Sequence, residues 1–158
     1  MPWRGHDSDA LSIAMSLAGA LFKETFVVDA LDASGARYFD GLSRLELSSA
    51  ESPDVHARVD VATELYSVHK GNTLTMILAD QLTEDGSDPT PEFYEQNKIG
   101  LTMCGTVFKF SREEATPGIV VVYVSFGGLI LELSAPFERV SNLAMDRRVF
   151  ALFSRPNE

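Results

Sequence analysis

Apolar and polar residues alternate along Val55 to Leu65. Val55, Ala57, Val59, Val61 and Leu65 fall on one face, and His56, Arg58, Asp60, Glu64 and Tyr66 on the other. A period of two sustained over such a run is the pattern of a half-buried strand, and a helix does not tolerate it. A second pattern is sharper. Ile119 to Phe126 and Leu129 to Ser134 flank Gly127-Gly128, the signature of a hairpin closed by a two-residue primed turn. That turn pairs Phe126 with Leu129, Val124 with Leu131 and Val122 with Leu133, all apolar and all on one face. The opposite face carries Ser125 with Ile130 and Tyr123 with Glu132, so register and turn agree.

The rest of the chain extends the same reading. Leu21 to Leu31 is β-rich without clean alternation, and Asp32 to Gly35 reads as a type I turn. Arg37 to Leu47 sets Leu45 and Leu47 against Arg44 and Glu46, with Gly41 marking a bulge or a close backbone approach. Lys70-Gly71-Asn72 turns the chain into a strand whose inward residues are Leu74, Met76 and Leu78. Ile99 to Phe110 is a strand with Gly100 and Gly105 as bulge sites, and Val149 to Phe153 is the last strand. Residues 83–97 hold two prolines, many acids and no period, which predicts a long mobile loop; Ser111 to Gly118 is a second loop. Residues 135–146 show no clear pattern, and a helical turn is one element they could hold. Eight strands with antiparallel alternation and glycines at their corners predict an all-β fold, an eight-stranded antiparallel barrel rather than a sandwich.

Length and composition bound this picture without changing it. A chain of 158 residues, 45% hydrophobic, can bury a core as one domain. The reading is a flexible N-terminal extension over residues 1–17 and a single barrel domain over 18–158. Leu11 to Leu21 is apolar, and Ala18-Gly19-Ala20 has the look of a signal-peptide cleavage site. Asp7 and Asp9 stand beside Arg4, however, where a signal peptide carries net positive charge, and the run is too short to span a bilayer. Met15 is an alternative start. The single cysteine, Cys104, excludes an intrachain disulfide and fits a reducing compartment. Its place mid-strand among apolar neighbours is that of a small buried hydrophobe.

Charge argues against nucleic acid as a partner of the isolated chain. The net charge is −10, and phosphate binding is driven by Lys and Arg. Ten of the acids and only two bases lie between Glu51 and Glu95, whereas the chain from Lys98 onward is near neutral. Phe108, Phe110, Tyr123 and Phe126 lie on neighbouring strands and could stack on bases, but the strands supply only Lys98, Lys109 and Arg112 beside them. Core or protein interface is the better reading of these aromatics.

Nothing in the chain spells catalysis. His6, His56 and His69 match no zinc spacing. Glu84-Asp85-Gly86-Ser87-Asp88 lacks the ligand spacing of a calcium loop. Nucleophile-elbow, phosphate-cradling and dinucleotide motifs are missing, as are clustered aspartates for a polymerase-type magnesium site. No catalytic residue, metal site or cofactor is assigned. A small-ligand carrier would need polar groups converging inside, and the inward faces are apolar.

An ordered set of segments carries a resemblance. They are Leu21-Phe22 with Phe26 and Val28, Phe39 followed by Leu42-Ser43-Arg44-Leu45, and Asp60 with Leu65-Tyr66. Leu78-Ala79 before Leu82 and Glu84-Asp85-Gly86 come next, then the run Tyr123 to Leu131, then Asp146 with Val149-Phe150-Ala151-Leu152. Spread over roughly residues 18–153, the set resembles the eighth-subunit family of eukaryotic nuclear DNA-directed RNA polymerases, the small subunit shared by polymerases I, II and III. The first 14 residues have no counterpart, the acidic loop looks shorter than in many members, Ile99 to Gly105 matches loosely, and Glu132 stands where a basic residue is expected.

The resemblance implies an eight-stranded barrel related to a doubled oligonucleotide-binding fold, in agreement with the strand count. It also implies a non-catalytic structural subunit in the nucleus, including the nucleolus, with the largest polymerase subunit as main partner. A free-standing single-strand nucleic-acid binder is the alternative. For docking, the residues singled out are Tyr123, Ser125, Phe126, Gly127, Gly128 and Ile130, because the hairpin's second face joins an aromatic anchor to polar groups.

Overall fold

The computed structural model describes residues 19–32 and 41–155. The N-terminal extension with Met15, the turn after Asp32 and the stretch from Arg37 to Asp40 lie outside the described residues. Eight antiparallel strands close a barrel in the order β1-β2-β3-β7-β6-β5-β8-β4. They are β1 (Ala20–Leu31), β2 (Leu42–Ser49), β3 (His56–Ala62), β4 (Thr73–Ala79), β5 (Ile99–Arg112), β6 (Ile119–Phe126), β7 (Leu129–Pro136) and β8 (Arg148–Ser154). Two short helices interrupt the connections, α1 (Pro91–Gln96) and α2 (Phe137–Val140), the latter in the stretch whose sequence shows no clear pattern.

Alternating residues fill the barrel. Phe26, Leu45, Leu47, Val59, Leu74, Met76, Leu78, Val122, Val124, Leu131, Leu133 and Phe153 are all buried in one contiguous cluster. β4 is buried on both faces from Leu74 to Ala79, and its lack of polar alternation has a cause. Ile77, Ala79, Leu82 and Leu152 form a second cluster outside the barrel, against which Phe93 of α1 packs. The segment 83–97, expected as a loop without structure, therefore contains a helical turn pinned by one aromatic residue. Pro91 opens it at a position where the missing N–H costs nothing.

The strand expected over Val55–Leu65 stops at Ala62. The amides of Leu65 and Tyr66 both donate to the Ala62 carbonyl, at 2.9 and 3.1 Å, so the chain curls through a single turn and the period of two is lost. Leu65 is consequently 77% exposed, and Tyr66 is buried instead. Gly41 is a close approach with φ +81, where a Cβ would meet the Glu64 side chain. Gly100 sits at a register shift between Ile99 and Leu101. At Gly105 the ladder to β8 is unbroken, and the second shift in β5 lies between Val107 and Lys109. Gly105 is instead a contact site, since a Cβ there would lie 2.2 Å from the Ser125 carbonyl oxygen. Cys104 is exposed. It faces outward opposite Phe150, while its neighbour Gly105 takes the inward place opposite buried Val149.

Candidate protein-docking face

The β6–β7 hairpin has the register that its alternation predicts, pair for pair from Phe126 with Leu129 to Val122 with Leu133. Gly127 and Gly128 turn the chain at φ +63 and +103 with nothing near the position of a Cβ, so the turn demands a left-handed backbone and stands in solvent. Phe126 is buried among the core residues. Its pairing with Leu129 on the apolar face puts it there, so it is not available to a partner. Tyr123, Ser125 and Ile130 are half-buried on the outer face.

Each of these outer residues is held. The Ser125 hydroxyl accepts from the Gly128 amide at 3.4 Å. The Ile130 amide donates to Oδ2 of Asp60 at 3.0 Å, and Asp60 in turn accepts from Nε of Arg44 at 2.8 Å. The β3–β7 ladder ends at Val59 with Leu131, so the Asp60 carboxylate takes over as acceptor one residue further on. Tyr123 lies between Phe108, with ring centroids 6.0 Å apart, and the Lys109 ammonium, 5.1 Å from its ring centre.

β5 brings in residues that alternation did not single out for their exposure. Phe108 is 43% exposed and Phe110 37%, and Met145 is 51% exposed on the turn bonded to β5 through the amide of Asp146 and the carbonyl of Val107. The shift between Val107 and Lys109 is what turns Phe108 and Lys109 out together. The only signal of it in the sequence is a lysine between two phenylalanines. Arg147 and Arg148 lie beside this strand as well. Arg147 pairs with Asp80, and Arg148 lies 5.1 Å over the Phe150 ring, which leaves little of a free cationic track for phosphates.

Beyond Tyr123 the outer surface becomes acidic. A groove of about 510 Å³ crosses β2, β3, β6 and β7, and Asp29, Glu46, Glu113 and Glu132 line it together with Arg58 and His56. Glu132 stands opposite Tyr123 on β6 and Arg58 on β3. Arg58 bridges Glu46 at 2.8 Å and Glu132 at 3.7 Å, so the acid at 132 has its own cation within the chain. At this exposure each pair contributes only about 0–1 kcal/mol. His56 is exposed, as its place in the alternation predicts. Among the described residues no group of His, Cys, Asp or Glu is arranged to hold a metal ion. The face offers an aromatic anchor, satisfied polar groups and a glycine turn, which is the chemistry of association.

Comparison with known proteins finds relatives that align with most of the chain. The chain is 32% identical over 141 residues to the DNA-directed RNA polymerases II, IV and V subunit 8B of Arabidopsis thaliana, covering 85% of this chain and 95% of that protein. It is 30% identical over 145 residues to the DNA-directed RNA polymerases I, II, and III subunit rpabc3 of Dictyostelium discoideum, covering 88% and 99%. The subunit RPABC3 of Saccharomyces cerevisiae matches at 26% over 143 residues, covering 82% and 94%. The model of the family described as RNA polymerase Rpb8 matches residues 23–155, nearly the whole barrel from β1 to the end of β8. With its eight-stranded closed barrel and a core that runs through every matched strand, the chain belongs to the RNA polymerase Rpb8 family.

Proposed function

We propose that the barrel docks on the largest subunit of a nuclear RNA polymerase through the outer face of the β6–β7 hairpin. As a member of the Rpb8 family, the chain is a non-catalytic structural subunit of DNA-directed RNA polymerase. The nucleus, with the nucleolus included, is its place of action. The observation that carries the docking site is the cluster of Tyr123 and exposed Phe108 beside the glycine turn, on a hairpin whose other face is already spent in the core. Aromatic groups held half in and half out of solvent by polar neighbours are what interface centres use. Tyr123, Ser125, Gly127, Gly128 and Ile130 form this surface, and Phe126 supports it from inside.

Co-purification tests this reading. The double substitution Tyr123→Ala with Ile130→Ser removes the anchor and its apolar neighbour without touching the buried positions. The variant is expected to lose the largest subunit on purification while its Tm stays close to that of the parent. Full retention of the subunit overturns the docking site, and loss of the folded barrel reassigns the segment to structure. Single-stranded binding is read separately, by fluorescence anisotropy with DNA and RNA oligonucleotides at physiological salt, where no sub-micromolar affinity is expected.

A further inference from the structure

Three serine or threonine residues precede a proline, namely Ser52-Pro53, Thr90-Pro91 and Thr116-Pro117. All three lie in connections between strands, and by sequence they are equivalent. The fold separates them. Ser52 is half-buried, its amide donates to the Ser49 hydroxyl at 2.9 Å, and its carbonyl accepts from the Val55 amide at 3.1 Å. Thr116 is exposed, but its carbonyl receives the Ile119 amide at 3.3 Å inside the tight turn that leads into β6. Pro117 and the left-handed Gly118 complete that turn.

The Thr90 carbonyl accepts in the same way, from the Phe93 amide at 3.0 Å, and Thr90 differs in what surrounds it. It is exposed, with φ −77 and ψ 161, the extended conformation of a peptide laid in a groove, and its hydroxyl makes no capping hydrogen bond. The three residues before it, Ser87 to Pro89, are exposed or half-exposed, and Asp88 and Pro89 belong to no helix, strand or turn. After it comes α1, which has six residues and none buried. Phe93 ties that turn to the barrel, as a half-buried ring against the outer cluster. The segment on either side of Thr90 can thus enter an enzyme cleft without opening the core.

We infer that Thr90 is a phosphorylation site for a proline-directed protein kinase, independently of how the barrel docks. Pro91 has no amide hydrogen to leave unsatisfied in a cleft that offers no acceptor at that position. In the reaction the Thr90 Oγ1 forms a bond to the γ-phosphorus of ATP, the bond from that phosphorus to the β-γ bridging oxygen breaks, ADP leaves, and the hydroxyl proton passes to the kinase's base. The product carries a phosphate of about −1.5 to −2 charge between Asp88 and Glu92. This adds negative charge to an already acidic segment.

The test uses the purified full-length chain with a mitogen-activated protein kinase and MgATP, read by intact mass and by fragment mapping. One phosphate on Thr90 is expected. Thr90→Ala is expected to abolish the label, whereas Thr116→Ala and Ser52→Ala keep it. Thr90→Ser, which restores an acceptor at the same place, is expected to restore it. Label mapping to Thr116 or Ser52 instead of Thr90, or no label on a chain whose circular dichroism shows the intact barrel, overturns the assignment.

Discussion

The β6–β7 hairpin and strand β5 are neighbours in one sheet, yet they follow different rules. In the hairpin, Val122, Val124, Phe126, Leu131 and Leu133 are buried, Leu129 packs against the same core opposite Phe126, and Tyr123, Ser125, Ile130 and Glu132 face out. In β5, fourteen residues long, only Gly105 and Val107 are buried, and two register shifts break the ladder. The difference lies in what covers each inward position. The hairpin's inward residues meet other side chains across the barrel. At Gly105, the aromatic ring of Phe126 fills the space where a side chain would stand, 2.6 Å from the place of a Cβ. Part of the core under β5 is thus supplied by the hairpin, and β5 exposes its two phenylalanines, Phe108 and Phe110.

The strongest way to sharpen this contrast is to truncate one inward residue on each strand. Leu131→Ala is expected to cost about 2–5 kcal/mol, because a fully buried leucine leaves a cavity. Met103→Ala, at a half-buried inward position on β5, is expected to cost less than half as much; urea midpoints compare the two, and equal losses would erase the distinction. Next in size is Gly105→Ala, which forces the Ser125 carbonyl or the Phe126 ring to move and is expected to cost roughly 1–3 kcal/mol. Gly127→Ala meets no neighbour, but it places a side chain at φ +63 and is expected to cost about 1 kcal/mol. Thermal denaturation ranks them, and the reverse order would mean that β5 gives way easily. Cys104→Ser, on the outer face of the same strand, is expected to shift stability by less than about 0.5 kcal/mol, and a larger loss would show that the thiol is packed after all.

The smallest effect lies outside both strands. Asp85 accepts from the Ser87 hydroxyl at 2.6 Å, the Ser87 amide at 3.0 Å and the Thr83 hydroxyl at 3.0 Å. These bonds, that of the Ser87 hydroxyl first, lower its pKa to about 2 from the usual 3.8. Because the folded value is depressed, the carboxylate's hold on the 83–87 turn is complete above pH 3.8 and is lost as pH falls towards 2. Carboxyl chemical shifts should report that midpoint, and Ser87→Ala should move it upwards. No movement would mean that these bonds are absent in solution.

How legible the molecule was follows from the same physics. The eight strands, the closed barrel and the pairs of the hairpin were readable because most strands, β4 excepted, set one face to the core and the other towards solvent. Tyr66 and Leu65 were misplaced because a single turn after Ala62 changes the period within one residue of the strand's end. Cys104 was misplaced because local composition in β5 does not tell which face is inside. The exposure of Phe108 and Phe110 depends on a register shift that alternation cannot display. Of the docking residues, Tyr123, Ser125 and Ile130 were readable as outward from the turn alone, and the same parity assigns Phe126 to the interior.

The place of β8 in the barrel has a consequence for how the chain acquires its fold. β8 is last in the sequence, yet it lies between β4 and β5. It pairs with both, from Thr75 with Ser154 on one side to Thr106 with Arg148 on the other. Until residues 148–154 have left the ribosome, β4 and β5 each present an open edge, and β4 is apolar on both sides. Such edges invite pairing with other chains, and closure across so wide a sequence separation is slow. A nascent or truncated chain that ends before Arg148 is therefore an unsealed sheet rather than a slightly shorter barrel, prone to aggregate while still bound to the ribosome or soon after release.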